Sequence, residues 1–189
     1  MADEKDFGEY GVEDRRALMA IAKSAVEDAV NGVERLSLKP SSDRLTRLGA
    51  AFVTLKINGE LRGCIGHVVA RLPLYACVAD VAKAAAIHDS RFPPLTAAEL
   101  PRVSYEISIL TPPVATSVED VIVGRDGLIM SSGMRFGLLL PQVPVEWGWS
   151  KEEFLTATCR KAGLSADCWK KPGTEIKSFR AIVFGQSDL

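Results

Sequence analysis

The stretch Ala51-Phe52-Val53-Thr54-Leu55-Lys56-Ile57-Asn58-Gly59-Glu60-Leu61-Arg62-Gly63-Cys64-Ile65-Gly66-His67 decides the fold. Two β-rich runs flank Asn58-Gly59, and Asn-Gly between such runs is the strongest short-range sign of a hairpin. A two-residue loop pairs Ile57 with Glu60 and Lys56 with Leu61, which mixes the faces. A three-residue loop, Ile57-Asn58-Gly59, pairs Lys56 with Glu60 and Leu55 with Leu61. The second register gives an ion pair at the tip and an apolar pair inside, and the pattern favours it. Leu61, Gly63 and Ile65 then share one face, and Arg62, Cys64 and Gly66 the other.

Working outward, Glu13 to Asn31 reads as an amphipathic helix with Leu18, Ile21, Ala25 and Ala29 on one stripe and Gly32 as its stop. After the hairpin a second helix runs from Leu74 to Ala86, with Cys77, Val78, Val81 and Ala85 on its apolar side. The loop His88 to Leu95 breaks it, and Thr96 and Glu99 have capping-box spacing for a short turn. Val103 to Leu110 alternates as a strand with Val103, Tyr105, Ile107 and Ile109 inward, and Thr111-Pro112-Pro113 ends it. A second hairpin follows, Gly127 to Met130 and Met134 to Leu140 around Ser131-Ser132-Gly133. Ser150 and Glu153 open a helix that stops at Gly163, and Glu175 to Phe184 closes the chain as one strand. Each half reads hairpin, helix, strand, at an offset of roughly 75 residues.

The expected fold is α+β: a curved, mainly antiparallel sheet flanked by helices, built from a duplicated plan in two unequal subdomains. A disordered tail over residues 1–12 precedes a single domain over 13–189, with repeat halves at about 51–113 and 127–185. A chain of 189 residues is long enough to bury a core without staples. Its net charge of -1 provides no global field for nucleic acid or acidic membranes, leaving room only for a local basic patch. The charged start is no signal peptide, and the apolar stretches are too short to span a bilayer. The cysteines at 64, 77, 159 and 168 form no CxxC pair, and read most simply as reduced thiols of a cytoplasmic protein.

Three segments carry chemistry. Cys64 lies between Gly63 and Gly66 beside Arg62. Strand glycines mark a bulge or close backbone approach, and a neighbouring guanidinium favours the nucleophilic thiolate. A dyad of Cys64 with His67 requires a bulge at Gly66. The plainer reading makes Cys64 a small buried hydrophobe and the glycines packing devices. In the second segment Asp89 is a candidate base and Arg91 an anion clamp before the stiff Phe92-Pro93-Pro94. The plainer reading is an ion pair that tethers a surface loop. In the third, Gln142 and Glu146 orient a polar ligand against the flat wall of Trp149, or the segment is a tryptophan-anchored crossover into the helix at Ser150. Cys77 and Cys159 fall on apolar helix faces, whereas Cys168 sits in a polar loop. Two histidines and scattered cysteines match no metal-ligand spacing, and phosphate-loop, dinucleotide and GxSxG signatures are absent.

Leu61-Arg62-Gly63-Cys64-Ile65-Gly66 resembles the six-residue signature of the AMMECR domain family, called AmmeMemoRadiSam system protein A in bacteria and archaea. Asp89 to Leu95, Glu106 to Pro112, Leu139 to Pro144 followed by Trp149, Phe154-Leu155 and Lys161 to Leu164 match as well. Ser90 departs from the pattern, because the family usually has proline after the aspartate. The resemblance implies an α+β fold with two unequal subdomains and an internal duplication. It also implies a Memo-type protein and a radical S-adenosylmethionine protein as partners, but brings no agreed catalytic residues or cofactor. The expected function is an enzyme or enzyme subunit with a cleft around the hairpin. Cys64 is its nucleophile or redox group, and Asp89 or Glu146 its acid/base partner. Arg62, Gly63, Gly66, His67, Arg91, Gln142 and Trp149 line the substrate. The alternatives are a partner-binding adaptor using the Arg62–Cys64 surface and the Trp147–Trp149 segment, and an RNA-binding or RNA-modification factor, which the near-neutral charge disfavours.

Overall fold

Asn58 and Gly59 take positive φ, 54° and 83°, the geometry of a two-residue turn whose twist matches the strands it joins. The hairpin therefore closes on β1 (Leu48–Ile57) and β2 (Glu60–Gly66) with Ile57 opposite Glu60 and Lys56 opposite Leu61. The expected three-residue loop does not form. The mixing of faces is relieved by a bulge instead: the register shifts between Leu55 and Lys56, so Leu55 faces Gly63 and Arg62 is the extra residue. One inserted residue re-aims all the side chains after it.

The computed structural model describes residues 10–34, 40 and 42–189. The tail expected over 1–12 therefore lies mostly outside the described residues. α1 (Val12–Val30) begins one residue earlier than its periodicity suggests, and Tyr10 packs against the first core. The chain forms two compact units, one reaching to Leu110 and resuming at Ile182, the other spanning Thr111–Ala181.

In the first unit the remaining elements are α2 (Asp43–Thr46), β3 (Leu72–Pro73), α3 (Leu74–Ile87), β4 (Val103–Leu110) and β9 (Ala181–Gly185). The sheet runs β2-β1-β4-β9, with β3 paired to β1. α3 packs on β1 and β2, and α1 packs on α3. Leu18, Ala22 and Val26 of α1 meet Val78, Val81 and Ala85 of α3 over Val53, Leu55, Ile107 and Phe184 of the sheet, all buried. Alternation along each strand sends every second side chain to the face opposite α1 and α3.

The second unit holds β5 (Val114–Ala115), β6 (Gly127–Ser132), β7 (Arg135–Leu139), α4 (Gln142–Glu146), α5 (Lys151–Lys161) and β8 (Glu175–Phe179). Its sheet runs β5-β8-β6-β7, and every described pairing in it is antiparallel. The second hairpin is tighter than expected, because Ser131 and Ser132 stay in β6 and only Gly133-Met134 turn. The Ser150–Glu153 capping box opens α5 with both reciprocal bonds formed. Phe154, Leu155 and Cys159 bury against Leu128 and Met130. α4 carries Pro144 in its first turn, where the backbone N–H groups have no intrahelical acceptor and proline costs nothing.

Further sequence expectations are overturned. The single closing strand Glu175 to Phe184 breaks at Arg180, with β8 in the second sheet and β9 in the first. Apolar alternation continues across the break and so hides it. The thiols are not all reduced, since Cys159 at the end of α5 is disulfide-bonded to Cys168, leaving Cys64 and Cys77 free. Cys168 is buried with the core rather than placed in a polar loop. Among the described residues no helix is long and apolar enough to cross a membrane.

Candidate functional site

β2 is an edge strand, and an edge presents unpaired N–H and C=O groups that invite another strand. Here the edge is closed by side chains from the loop after α3. The Cys64 N–H donates to Asp89 Oδ2 at 2.9 Å, and the Cys64 carbonyl accepts from Arg91 Nη2 at 3.1 Å. Asp89 in turn accepts from Arg91 through its backbone N–H at 3.2 Å, Nε at 2.9 Å and Nη2 at 2.7 Å. An Asp–Arg pair thus stands where a neighbouring strand would, supplying one acceptor and one donor to the same residue.

Arg62, the bulged residue, anchors the rest of that loop. Its Nε and Nη2 donate to the two oxygens of Glu99 at 2.8 and 3.2 Å, and its Nη1 and Nη2 donate to the carbonyls of Pro93 and Pro94 at 2.9 and 3.4 Å. Glu99 also accepts from the Thr96 N–H and hydroxyl. The Phe92 ring lies within cation–π distance of both guanidiniums, 6.0 Å from Arg62 and 5.5 Å from Arg91. A segment with two prolines and few backbone bonds of its own is thereby welded to the strand.

The carboxylates pay for none of this with a proton. Hydrogen bonds from Arg91 hold the Asp89 carboxyl down at about 2 against the burial that opposes ionisation. Those from Arg62 and Thr96 hold Glu99 at about 2. Asp89 is therefore ionised and fully hydrogen-bonded near neutral pH, and a base of this strength is weak there.

The glycines set the depth of the strand. A Cβ at Gly63 would collide with the Ala85 carbonyl oxygen of α3, and one at Gly66 would enter the Phe52 ring. Gly63 thus faces α3, and Cys64 faces the opposite side of the sheet with its partner Thr54. There Thr54 Oγ1 donates to Cys64 Sγ at 3.3 Å. Thr54 also stands opposite Glu106 of β4, and Phe52 opposite Ser108. Glu106 is ion-paired with Lys56 at 3.1 Å. The Cys64 thiol is pushed up by burial. The Thr54 hydrogen bond and the Arg91 charge pull it back only in part, and the charges of Asp89 and Glu106 raise it further.

The structure thus brings Arg62, Gly63, Cys64, Gly66, Asp89 and Arg91 together. His67 does not join them: its Nε2 lies 2.7 Å from Asp80 Oδ2 of α3, with both side chains about half exposed. The bulge needed for a Cys64–His67 dyad is at Arg62 instead, and Gly66 pairs regularly with Phe52. Gln142, Glu146 and Trp149 belong to the other unit, where Glu146 is exposed on α4 and Trp149 packs partly against that unit's core. Thr54 and Glu106 escaped the sequence reading. Their signal is the alternation itself, since each is a polar residue flanked on both sides by core residues of its strand. Among the described residues no group of three or more His, Cys, Asp and Glu side chains could hold a metal ion.

A family model described as AMMECR1 matches residues 19–184. A protein of Methanothermobacter thermautotrophicus is 43% identical over 177 residues, covering 89% of this chain and 92% of its own. One from Thermococcus kodakarensis is 42% identical, covering 88% and 87%. The crystal structure of an uncharacterised protein from Pyrococcus horikoshii superposes with a TM-score of 0.84 at 40% identity, covering 89% of each chain. None of these descriptions states an activity.

Proposed function

The chain belongs to the AMMECR1 family, and from that premise we propose that it is an enzyme, or a subunit of one, acting on a small anionic substrate around Cys64 on the sheet face opposite α3. The observation that carries this reading is the fixed quartet there: a thiol, the Thr54 hydroxyl donating to it, the Arg91 guanidinium beside it and the Glu106 carboxylate in register with Thr54. Arg91 is half exposed although Asp89 holds it, so its outer side is the anion ligand. Burial keeps the Cys64 thiol protonated at rest. Attack on an electrophilic carbonyl carbon therefore forms the Sγ–C bond as the S–H bond breaks and the C=O π pair moves onto oxygen, and Glu106 accepts the thiol proton. Arg62, Gly63, Gly66 and Asp89 are framework in this reading. The Memo-type and radical S-adenosylmethionine proteins implied by the family resemblance are the proposed partners, to be sought by coexpression and copurification.

The test compares alkylation of Cys64 by iodoacetate and iodoacetamide, read by peptide mass spectrometry on the folded protein. The expected ratio of anionic to neutral reagent exceeds that of free cysteine and falls in Arg91→Gln. A ratio equal to that of free cysteine would remove Arg91 as anion ligand, and no alkylation before unfolding would remove Cys64 as the reacting group.

A further inference from the structure

Trp147 is 70% exposed, and beside it Val145 is 60% exposed. The Trp147 and Trp149 rings are stacked, 6.1 Å between centroids and 20° from parallel. Their backbone is fixed at both ends. The Trp149 N–H donates to the Pro144 carbonyl at 2.8 Å, and the Gly148 N–H to the Val145 carbonyl at 3.2 Å. Gly148 takes φ of 63°. This is the Schellman closure of a helix, which needs a left-handed residue at that position. The next residue, Ser150, is the cap of α5. The aromatic pair is therefore held between two helix-end devices, and no loop ordering is required before it binds.

Glu146, adjacent to Trp147 in the sequence, is exposed and carries no ion pair among the described residues. Lys151 lies close by, but its ammonium donates to the carbonyls of Val118 and Glu119 at 3.2 and 2.9 Å. A rigid indole face with an exposed carboxylate on the neighbouring residue complements a flat cation. A guanidinium stacks on tryptophan, keeps its charge there and presents N–H donors at its edge to a carboxylate.

We propose that Trp147, Trp149 and Glu146 form a docking surface for an arginine-bearing peptide segment of a partner protein. The surface lies in the second unit, and its occupant is independent of any chemistry at Cys64. Arginine and tryptophan are the residues most often found as interface anchors, and Trp147 is the anchor on this side.

The test is a titration of the full chain with tri-arginine amide, followed by the indole N–H resonances, which Trp147→Phe and Trp149→Phe assign. The Trp147 and Trp149 signals are expected to shift saturably and the Trp169 signal to stay. Tri-citrulline amide, the uncharged isostere, should bind about two- to fivefold more weakly, which a lost cation–π contact at an exposed site predicts. Trp147→Ala should lose binding, and its exposure means the fold survives, which the rest of the spectrum verifies. Glu146→Gln should weaken binding about threefold or more, as expected for losing one carboxylate contact. Equal binding of the citrulline peptide, or unchanged binding by Trp147→Ala, would overturn the proposal. So would indole shifts that follow protein concentration without peptide, because the occupant would then be a second copy.

Discussion

Asp89→Asn keeps the shape of the side chain and removes its charge. Asp89 accepts four hydrogen bonds, one from Cys64 and three from Arg91, and its side chain is only 4% exposed. An asparagine offers one oxygen, and its NH₂ must face a donor. Breaking a buried pair costs about 3–5 kcal/mol. Arg91 is half exposed and regains water, which brings the expectation to roughly 3 kcal/mol, a large share of the stability of an ordinary domain. The pH dependence gives an independent measure. The carboxyl is lowered in the folded state from 3.8 to about 2, worth about 2.4 kcal/mol at about 1.36 kcal/mol for each tenfold change. A depressed carboxylate stabilises fully above its unfolded value, and the contribution is lost as pH falls toward 2. Glu99 is lowered in the same direction, so Asp89→Asn should flatten the acid limb of the stability profile without abolishing it. Urea unfolding by circular dichroism at pH 7 and pH 3 measures both effects, and amide exchange at Cys64 reports the edge locally. A variant within about 0.5 kcal/mol of the parent, the range of ordinary surface substitutions, with an unchanged acid limb and unchanged Cys64 exchange, would refute the edge closure.

Cys64 should react with iodoacetamide more slowly than free cysteine at pH 7, and faster as pH rises beyond the ordinary thiol range near 8.5, because burial raises it. Thr54→Val should slow it further, since a hydrogen bond favouring the thiolate is lost; a rate equal to free cysteine at pH 7 would contradict the burial. Gly63→Ala drives a methyl into the Ala85 carbonyl and should lower stability by about 1–3 kcal/mol, the usual cost of overpacking, checked by the shift in urea midpoint. Replacing both Cys159 and Cys168 by Ala opens a loop closed over nine residues and should destabilise by about 2–3 kcal/mol on the chain-entropy scale. Amide exchange should then rise at the end of α5 and over residues 163–170, and uniform exchange across both units would count against a local staple.

Much of the architecture was legible because local chemistry decided it. The Ser150–Glu153 box, the Asn58-Gly59 turn and the apolar alternation of Val103 to Leu110 each need only neighbouring residues. What failed needed partners distant in sequence. The hairpin register could not be chosen from cross-strand pairs alone, because a bulge at Arg62 allows the tighter turn and still corrects the faces. The break at Arg180 is invisible to alternation, since Phe179 and Phe184 are core residues of different units. Cys159 was recognisable as core, but its bond to Cys168 depends on a loop whose path no periodicity encodes. The hairpin residue Cys64 and the loop residues Asp89 and Arg91 were singled out from the sequence and do meet, but their hydrogen-bond partners were not legible. In one dimension Arg62 reads as an anion ligand and Asp89 as a base, whereas in three dimensions both are partners of backbone atoms.

That difference bears on how the motif should be dissected. An edge strand that must not pair with other chains needs its backbone groups answered, and here Asp89 and Arg91 answer those of Cys64 while Arg62 ties the loop to the strand. Loss of function in variants at those positions therefore has a trivial cause available, the release of loop 88–99 from β2. Cys64→Ala has no such cause. The two backbone bonds to Asp89 and Arg91 do not involve the side chain, and the sulfur contributes one weak hydrogen bond from Thr54. The substitution should therefore change stability by no more than about 1 kcal/mol, in the range of one ordinary hydrogen bond, and leave amide exchange at residue 64 slow. A function lost in Cys64→Ala under those conditions belongs to the thiol. A function that survives it but fails in Asp89→Asn belongs to the rigidity of the edge, and the search for chemistry then moves to the Thr54 and Glu106 side of the sheet.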